Sequence, residues 1–278
     1  MKKKQFTSTL IRTIIVALFA ILFVIPLIWM MLSSLKPVSE VFARPFHWLP
    51  SEWRWKNYAE VWSPSADVNM LRAYGNSLYI VLFSVIGQML ISSLAAYAFA
   101  KINFKGKGVI FLLFLSSTMI PSQVTIIPRF MLFKTIGLYN NLWAIILPTF
   151  FGGTSIFMLR QFYMGLPNDL MEAAKIDGAT HPRIFFQIML PLTKAALVSL
   201  IILTFISSWN EYMGPLIFLP NKQYFTISQA IQSYMQDEFK QHNLTMAAAT
   251  SAIIPVIFIF IFGQKYFVEG IATTGVKG

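Results

Sequence analysis

The chain has 278 residues, 56% of them hydrophobic and only 12% charged. Soluble domains carry about 25% charged residues, so this composition, with a mean hydropathy of +0.62, excludes a disordered chain and most soluble enzymes. It describes a polytopic, all-α membrane protein made of one integral domain over residues 1–278. The net charge is +11, from 22 Lys and Arg against 11 Asp and Glu. In so apolar a chain that excess belongs to cytoplasmic connections facing anionic lipid rather than to a nucleic-acid site. There is no cysteine, which excludes disulfides, thiolate metal sites and a cysteine nucleophile.

A transmembrane helix needs about 20 mostly apolar residues, and six stretches qualify: about 13–32, 76–100, 109–130, 142–163, 195–219 and 244–268. Lys2-Lys3-Lys4 ahead of the first resembles the charged head of a signal peptide. The apolar run is too long for one and no A-x-A-like site follows, so it reads as a retained span. Pro121 and Pro128 interrupt the third stretch, Gly152-Gly153 the fourth and Pro255 the sixth. Basic residues set the orientation. Four (Lys2, Lys3, Lys4, Arg12) precede the first span and three (Lys101, Lys105, Lys107) fill the short connection 101–108, whereas 220–243 holds only Lys222 and Lys240. Both termini and the connection 164–194 are therefore expected in the cytoplasm. The outer connection 33–75 carries Trp48, Trp53, Trp55 and Trp62, which reads as an interfacial aromatic belt or as a docking surface for an external partner.

Catalytic patterns are missing. His47, His181 and His242 lie on three separate connections, no G-x-S-x-G elbow occurs, and no glycine-rich loop ending in Gly-Lys-Ser/Thr is present to cradle a phosphate. The sequence offers no cofactor site and no metal site. Work against a gradient would draw its energy from another subunit or from an ion. Among the carboxylates, Glu211 alone reads as lying within a span, and an ionisable group there is a functional candidate by default.

The connection 164–194 is too polar to span and too well punctuated for a random loop. Asp169 with Glu172 suggests a capping box, Asp177-Gly178 a helix stop, Thr180 or His181 a second cap with Pro182 in the first turn, and Pro191 an end. The product is two short helices with a sharp bend. Ala173, Ala174 and Ala179 leave little bulk beside it, as suits a helix seated in a partner's groove; an amphipathic helix resting on the membrane is the alternative.

Glu172-Ala173-Ala174, then Gly178, then Ile188-x-Leu190-Pro191 resembles the EAA loop of ABC importer permeases at the family's spacing. Ser34-Leu35-Lys36-Pro37, Ala95-Ala96-Tyr97-Ala98-Phe99-Ala100, Pro121-x-Gln123 with Ile127-Pro128, Trp209-Asn210-Glu211-Tyr212 and the terminal Val276-Lys277-Gly278 are similar to the maltose-type carbohydrate-uptake permeases. The likeness covers nearly the whole chain. It implies a bacterial inner-membrane permease subunit of a binding-protein-dependent carbohydrate importer, paired with a second permease, two cytoplasmic ATPases that bind ATP and Mg, and an extracytoplasmic sugar-binding protein. It further implies that Glu172, Ala173, Ala174, Asp177, Gly178 and Ala179 contact the ATPase.

For a substrate pathway, a sugar site wants hydrogen-bonding side chains framed by aromatic faces. Trp209, Asn210, Glu211 and Tyr212 offer both, with Gln123 beside Pro121 and with Thr204, Ser207 and Ser208 on the same span. Ser116, Ser117 and Thr118 add polar groups near the Pro121 break, and Gly214-Pro215 can open the helix beyond Glu211. Glu211 sits sixteen residues beyond Ala195, or about 24 Å along a helix, in the outer part of the bilayer. Its alternative role is to tie the helix bundle together. Two rival functions stay open here: a self-sufficient secondary transporter with Glu211 as its ion site, and, more remotely, a membrane-embedded enzyme.

Overall fold

The computed structural model describes the backbone of residues 2–64, 68–236 and 241–275, and side chains between 9 and 265 other than 236. The side chains of Lys2-Lys3-Lys4, residue Lys240 and the terminal Val276-Lys277-Gly278 therefore lie outside the described residues. No strand occurs among those described. The helices are α1 (Lys2–Ser33), α2 (Lys56–Val61), α3 (Met70–Lys101), α4 (Lys107–Thr118), α5 (Ser122–Thr135), α6 (Trp143–Thr149) and α7 (Gly153–Gly165). They continue with α8 (Asp169–Ile176), α9 (His181–Ile184), α10 (Leu190–Leu192), α11 (Lys194–Trp209), α12 (Met213–Phe218), α13 (Ile227–Gln236) and α14 (His242–Gly275). Four segments are long and apolar enough to cross a membrane: Thr9–Ser33, Met70–Lys101, Trp143–Gly165 and His242–Lys265. The count rises to six if two bent pairs each form one span, α4 with α5 at 94° and His181–Leu192 with α11 at 78°.

Both bends have a chemical cause. Pro121 lacks an N–H and holds an extended backbone at ψ 134°, so the α4 ladder cannot pass through it. The last turn of α4 tightens instead, with Met119 N–H bonded to Ser116 O and Ile120 N–H to Ser117 O. Ser116, Ser117 and Thr118 donate their hydroxyls to carbonyls of their own helix. At the second bend a π-helical turn, Phe185–Met189, widens the backbone just before Pro191 and absorbs the carbonyl that proline cannot engage. Thr193 then closes the turn by donating to Leu190 O at 3.0 Å. The fifth apolar stretch, read as 195–219, ends sooner as a helix. α11 stops at Trp209, and α12 begins at Met213 with Pro215 in its first turn, where a missing N–H costs nothing.

The described contacts divide into two compact units. One holds residues up to Leu71 together with Ala230–Ile254. Its centre is Asn57, which donates to Ser34 O at 2.8 Å and Lys36 O at 3.0 Å and accepts from Asn243 Nδ2 at 3.1 Å. That knot ties the end of α1 to α2 and to the start of α14. Lys36 is fully buried, donates to His47 O at 2.5 Å and lies 5.4 Å from the Phe46 ring. Burial lowers its pKa, and the nearby Glu40 charge opposes that shift. Glu40 is itself held by the Ser51 N–H and hydroxyl, which keep its carboxyl below the ordinary range. Trp48, Trp53 and Trp55 stay exposed.

The second unit, Arg72–Gln229 with Pro255–Gly278, contains two apolar clusters. One joins Tyr97, Leu159, Tyr163, Met171, Ile184 and Leu200; the other joins Ile80, Phe133, Ile146, Phe218 and Leu219. A buried polar bridge links three helices: Gln88 of α3 donates to Ser155 Oγ of α7 at 2.7 Å and accepts from Thr204 Oγ1 of α11 at 2.5 Å. Gly152, in the break between α6 and α7, makes room for it. A Cβ there would sit 2.1 Å from the Gln88 amide nitrogen.

Asn57→Ala strips the first unit's knot of two donated bonds and one accepted bond. Each buried group left unpaired costs about 1–3 kcal/mol, so the detergent-solubilised protein should melt several degrees lower. An unchanged melting temperature would show that the knot carries no stability.

Candidate functional site

Two features of the second unit carry the chemistry: a bent helical elbow and a polar cavity. In the elbow, α8 ends in a tightly bonded turn. Gly178 has φ +78°, its N–H bonds Lys175 O at 3.0 Å, and Ala179 N–H bonds Ala174 O at 2.9 Å. This is the paired-bond helix stop that needs a left-handed residue, and glycine takes that conformation without strain. Ala179 packs onto the cluster that buries Ala174, completing the apolar contact that accompanies such stops. Thr180 then starts α9 in extended conformation, and its carbonyl accepts Ile184 N–H at 3.0 Å.

The start of α8 differs from the capping box read at Asp169 and Glu172. Asn168 occupies the cap position with no side-chain bond to the helix. Its Oδ1 is taken by Lys101 Nζ at 2.7 Å, and the same ammonium donates to Leu166 O at 2.6 Å. A charge-assisted bond outcompetes a neutral cap. Asp169 and Glu172 instead place negative charge in the first turn, where the helix dipole favours it.

One face of α8 is fastened inward. Met171 and Ala174 are buried among Tyr163, Ile184, Phe185 and Met189. Tyr97 reaches the second arm, with its hydroxyl 3.1 Å from His181 Nδ1 and its ring 5.3 Å from Phe185. The other face is open: Glu172, Ala173, Asp177 and Gly178 are exposed and Ile176 is 86% exposed.

The cavity encloses about 360 Å³ between α5, α6, α11 and α12. Ser122, Gln123, Arg129, Thr149, Ser207, Ser208 and Glu211 give its polar wall, and Ile126, Ile145, Pro148 and Phe218 its apolar one. Gln123 and Glu211 thus meet in one space. Glu211 lies in the break between α11 and α12, and its Oε1 accepts Gly214 N–H at 2.7 Å, satisfying the opening turn of α12. Trp209, Asn210 and Tyr212 are placed apart from the cavity wall. Trp209 is buried, stacked on Phe205 at 5.7 Å and edge-on to Tyr74 at 5.4 Å. Asn210 donates back to Ile206 O at 2.9 Å. Arg129 and Thr149 were not legible as cavity residues from sequence. The available signal was a lone arginine directly after Pro128 in an apolar stretch.

A bent span beside a cavity and an exposed elbow is the anatomy of a transport subunit, and comparison with known proteins agrees. The model of the family described as "Binding-protein-dependent transport system inner membrane component" matches residues 88–273. The chain belongs to this family. It is 34% identical over 268 residues, 96% of this chain and 95% of the relative, to the arabinooligosaccharides transport system permease protein AraQ of Bacillus subtilis. It is 32% identical to the sn-glycerol-3-phosphate transport system permease protein UgpE of Pectobacterium atrosepticum, with 93% of each covered. It is 29% identical to the diacetylchitobiose uptake system permease protein NgcG of Streptomyces coelicolor, with 89% of this chain and 82% of that protein covered. The fold matches a chain in the crystal structure of a bacterial ABC transporter involved in import of the acidic polysaccharide alginate. That match has a TM-score of 0.79 at 22% identity and covers 93% and 95% of the two chains.

As a member of this family the protein is an inner-membrane permease subunit and not an enzyme. The self-sufficient secondary transporter finds no support. Glu211→Ala removes the acceptor of the Gly214 N–H, whereas Glu211→Gln keeps a carbonyl oxygen there. Loss of a helix-start acceptor costs about 1 kcal/mol. The permease should therefore show several-fold lower uptake with Glu211→Ala and a smaller loss with Glu211→Gln. Equal loss in both would assign the effect to charge rather than to the helix start.

Proposed function

We propose that this chain is the permease subunit of an ATP-driven carbohydrate importer. It forms the translocation pathway with a second, homologous permease and couples by alternating access to two cytoplasmic ATPases. An extracytoplasmic sugar-binding protein delivers the solute. ATP and Mg are held by the ATPase subunits, and both termini of the permease face the cytoplasm. Carbohydrate is favoured because the relatives named for arabinooligosaccharides and diacetylchitobiose align with most of the chain.

The observation that carries the reading is the two-faced elbow. Its inner face is locked into the span cluster through Met171 and Ala174, while Ile176 projects nearly free beside Ala173 and Gly178. An exposed large apolar side chain flanked by small residues suits insertion into a partner's groove. Glu172, Ala173, Ala174, Asp177, Gly178 and Ala179 form the coupling contact in this reading: Ala174 and Ala179 hold the bend, and the exposed four meet the ATPase. When ATP draws the two ATPases together, their grooves carry the elbows with them. Nucleotide shifts the equilibrium only through its different affinity for the two states.

Among the described residues, apart from its two chain neighbours, nothing lies within 4 Å of a Cβ built on Gly178. The direct penalty of a side chain there is thus the left-handed strain, about 1–2 kcal/mol, and any further crowding arises against a partner. Gly178→Asp should reduce uptake by more than about thirtyfold, beyond what that strain alone yields, with the amount of membrane-inserted chain unchanged. Uptake at the normal rate in that variant would remove the coupling role.

A further inference from the structure

Arg129 is the cavity residue whose chemistry the proposed function leaves unused. It follows Pro128 on α5 and lines the same space as Gln123 and Glu211. Its guanidinium carbon stands 5.1 Å from the centre of the Phe218 ring, a cation–π contact that holds the side chain against the apolar wall. Its Nε is shut off from water and has no hydrogen-bond acceptor among the described residues. Arg129 and Glu211 are the two charged groups of the wall, yet they form no ion pair. The ion pair found among the described residues is Arg54 with Glu52. Glu211 has one oxygen engaged by Gly214 N–H.

Arg129 is half-buried, and its one sealed, unused N–H leaves the guanidinium short of an acceptor, a lack that an anion at its fork would relieve. Its planar fork matches the two oxygens of a carboxylate or phosphate, and such charge-assisted bonds are about twice as strong as those to neutral groups. The remainder of the wall suits hydroxyls. Gln123, Thr149, Ser207 and Ser208 donate and accept, and the second oxygen of Glu211 accepts. The cavity volume lies near the lower end for small-molecule sites, about 300 Å³.

We infer that this cavity is a subsite for a saccharide bearing an oxyanion, a carboxylate or a phosphate ester, with Arg129 as the residue that selects the charged group and Gln123 and Glu211 facing the hydroxyls. The inference rests on the importer reading and narrows its substrate class.

Because the chain is free of cysteine, Ser207→Cys creates a single reporter thiol on the cavity wall. Its reaction with a small neutral methanethiosulfonate is followed on this chain within the intact membrane-bound transporter. Three probes are compared at equal concentration: digalacturonate, glucose 1-phosphate and a neutral digalactose. Slower labelling with an acidic probe and not with digalactose is the expected result. The probe that protects identifies the oxyanion as carboxylate or phosphate. Adding Arg129→Gln should raise the protecting concentration about tenfold. Arg129→Lys keeps the charge without the fork and should raise it less. Equal protection by digalactose, protection by no probe, or protection unchanged by both Arg129 variants would overturn the inference. A failure of the importer reading has a separate signature, uptake that proceeds without nucleotide, and the labelling assay does not depend on it.

Discussion

The left-handed turn at Gly178 is the constraint on which the rest of the molecule depends. It ends α8 with two backbone bonds, to Lys175 O and Ala174 O, and so fixes the direction in which α9 leaves. Without it the segment would run on as one amphipathic helix, free to lie on the membrane surface. With it, Met171 and Ala174 point into the cluster formed by Tyr163, Ile184 and Phe185. The elbow is then part of the span bundle, and a force applied to its outer face moves the bundle. A hinge of exposed polar loop would lose the same force in its own deformation.

A second constraint comes from lipid, where every backbone polar group needs a partner inside the protein. A membrane helix can be broken only where something compensates, and the breaks at Pro121 and beyond Trp209 show how. At Pro121 the α4 end tightens and its serine and threonine hydroxyls turn back to the helix carbonyls. At Gly152 the missing side chain leaves room for the Gln88 amide, which joins α7 to α11 through the hydroxyls of Ser155 and Thr204. Beyond Trp209 the Glu211 carboxylate takes the Gly214 N–H. Two of these breaks, at Pro121 and at Glu211, border the cavity. The cavity exists because straight helices were interrupted there, and its polar wall consists in part of the groups that make the interruption tolerable.

How far the sequence discloses this depends on how local each cause is. The elbow was legible because a glycine stop, an N1 proline and a small-residue run act within a few residues of one another. The start of α8 was not, since Asn168 is claimed by Lys101 from 67 residues away. Glu211 read as lying within a span that Gly214-Pro215 could open beyond it; the break comes earlier, between Trp209 and Met213, with Glu211 inside it. Trp209 read as a sugar-facing aromatic, but Phe205 and Tyr74 cover it, and no helical period tells which way an aromatic at a helix end will turn. Arg129 was missed because its setting is made by Phe218, distant in the chain and near only after folding.

Elbow and cavity are not independent, for α11 connects them directly. It starts at Lys194, one residue past the Thr193 turn that closes the elbow, and ends at Trp209, two residues before Glu211. Sixteen residues make a rod of about 24 Å, pinned about two-thirds of the way along by the Thr204 bond to Gln88. A rod pinned between its ends converts displacement of one end into opposite displacement of the other. In the proposed cycle, movement of the elbow by the ATPases would swing Ser207, Ser208 and Glu211 relative to Arg129 on α5. The two charged walls would then separate or approach as nucleotide comes and goes. A solute held between them would be gripped in one state and released in the other with no chemistry performed by this chain.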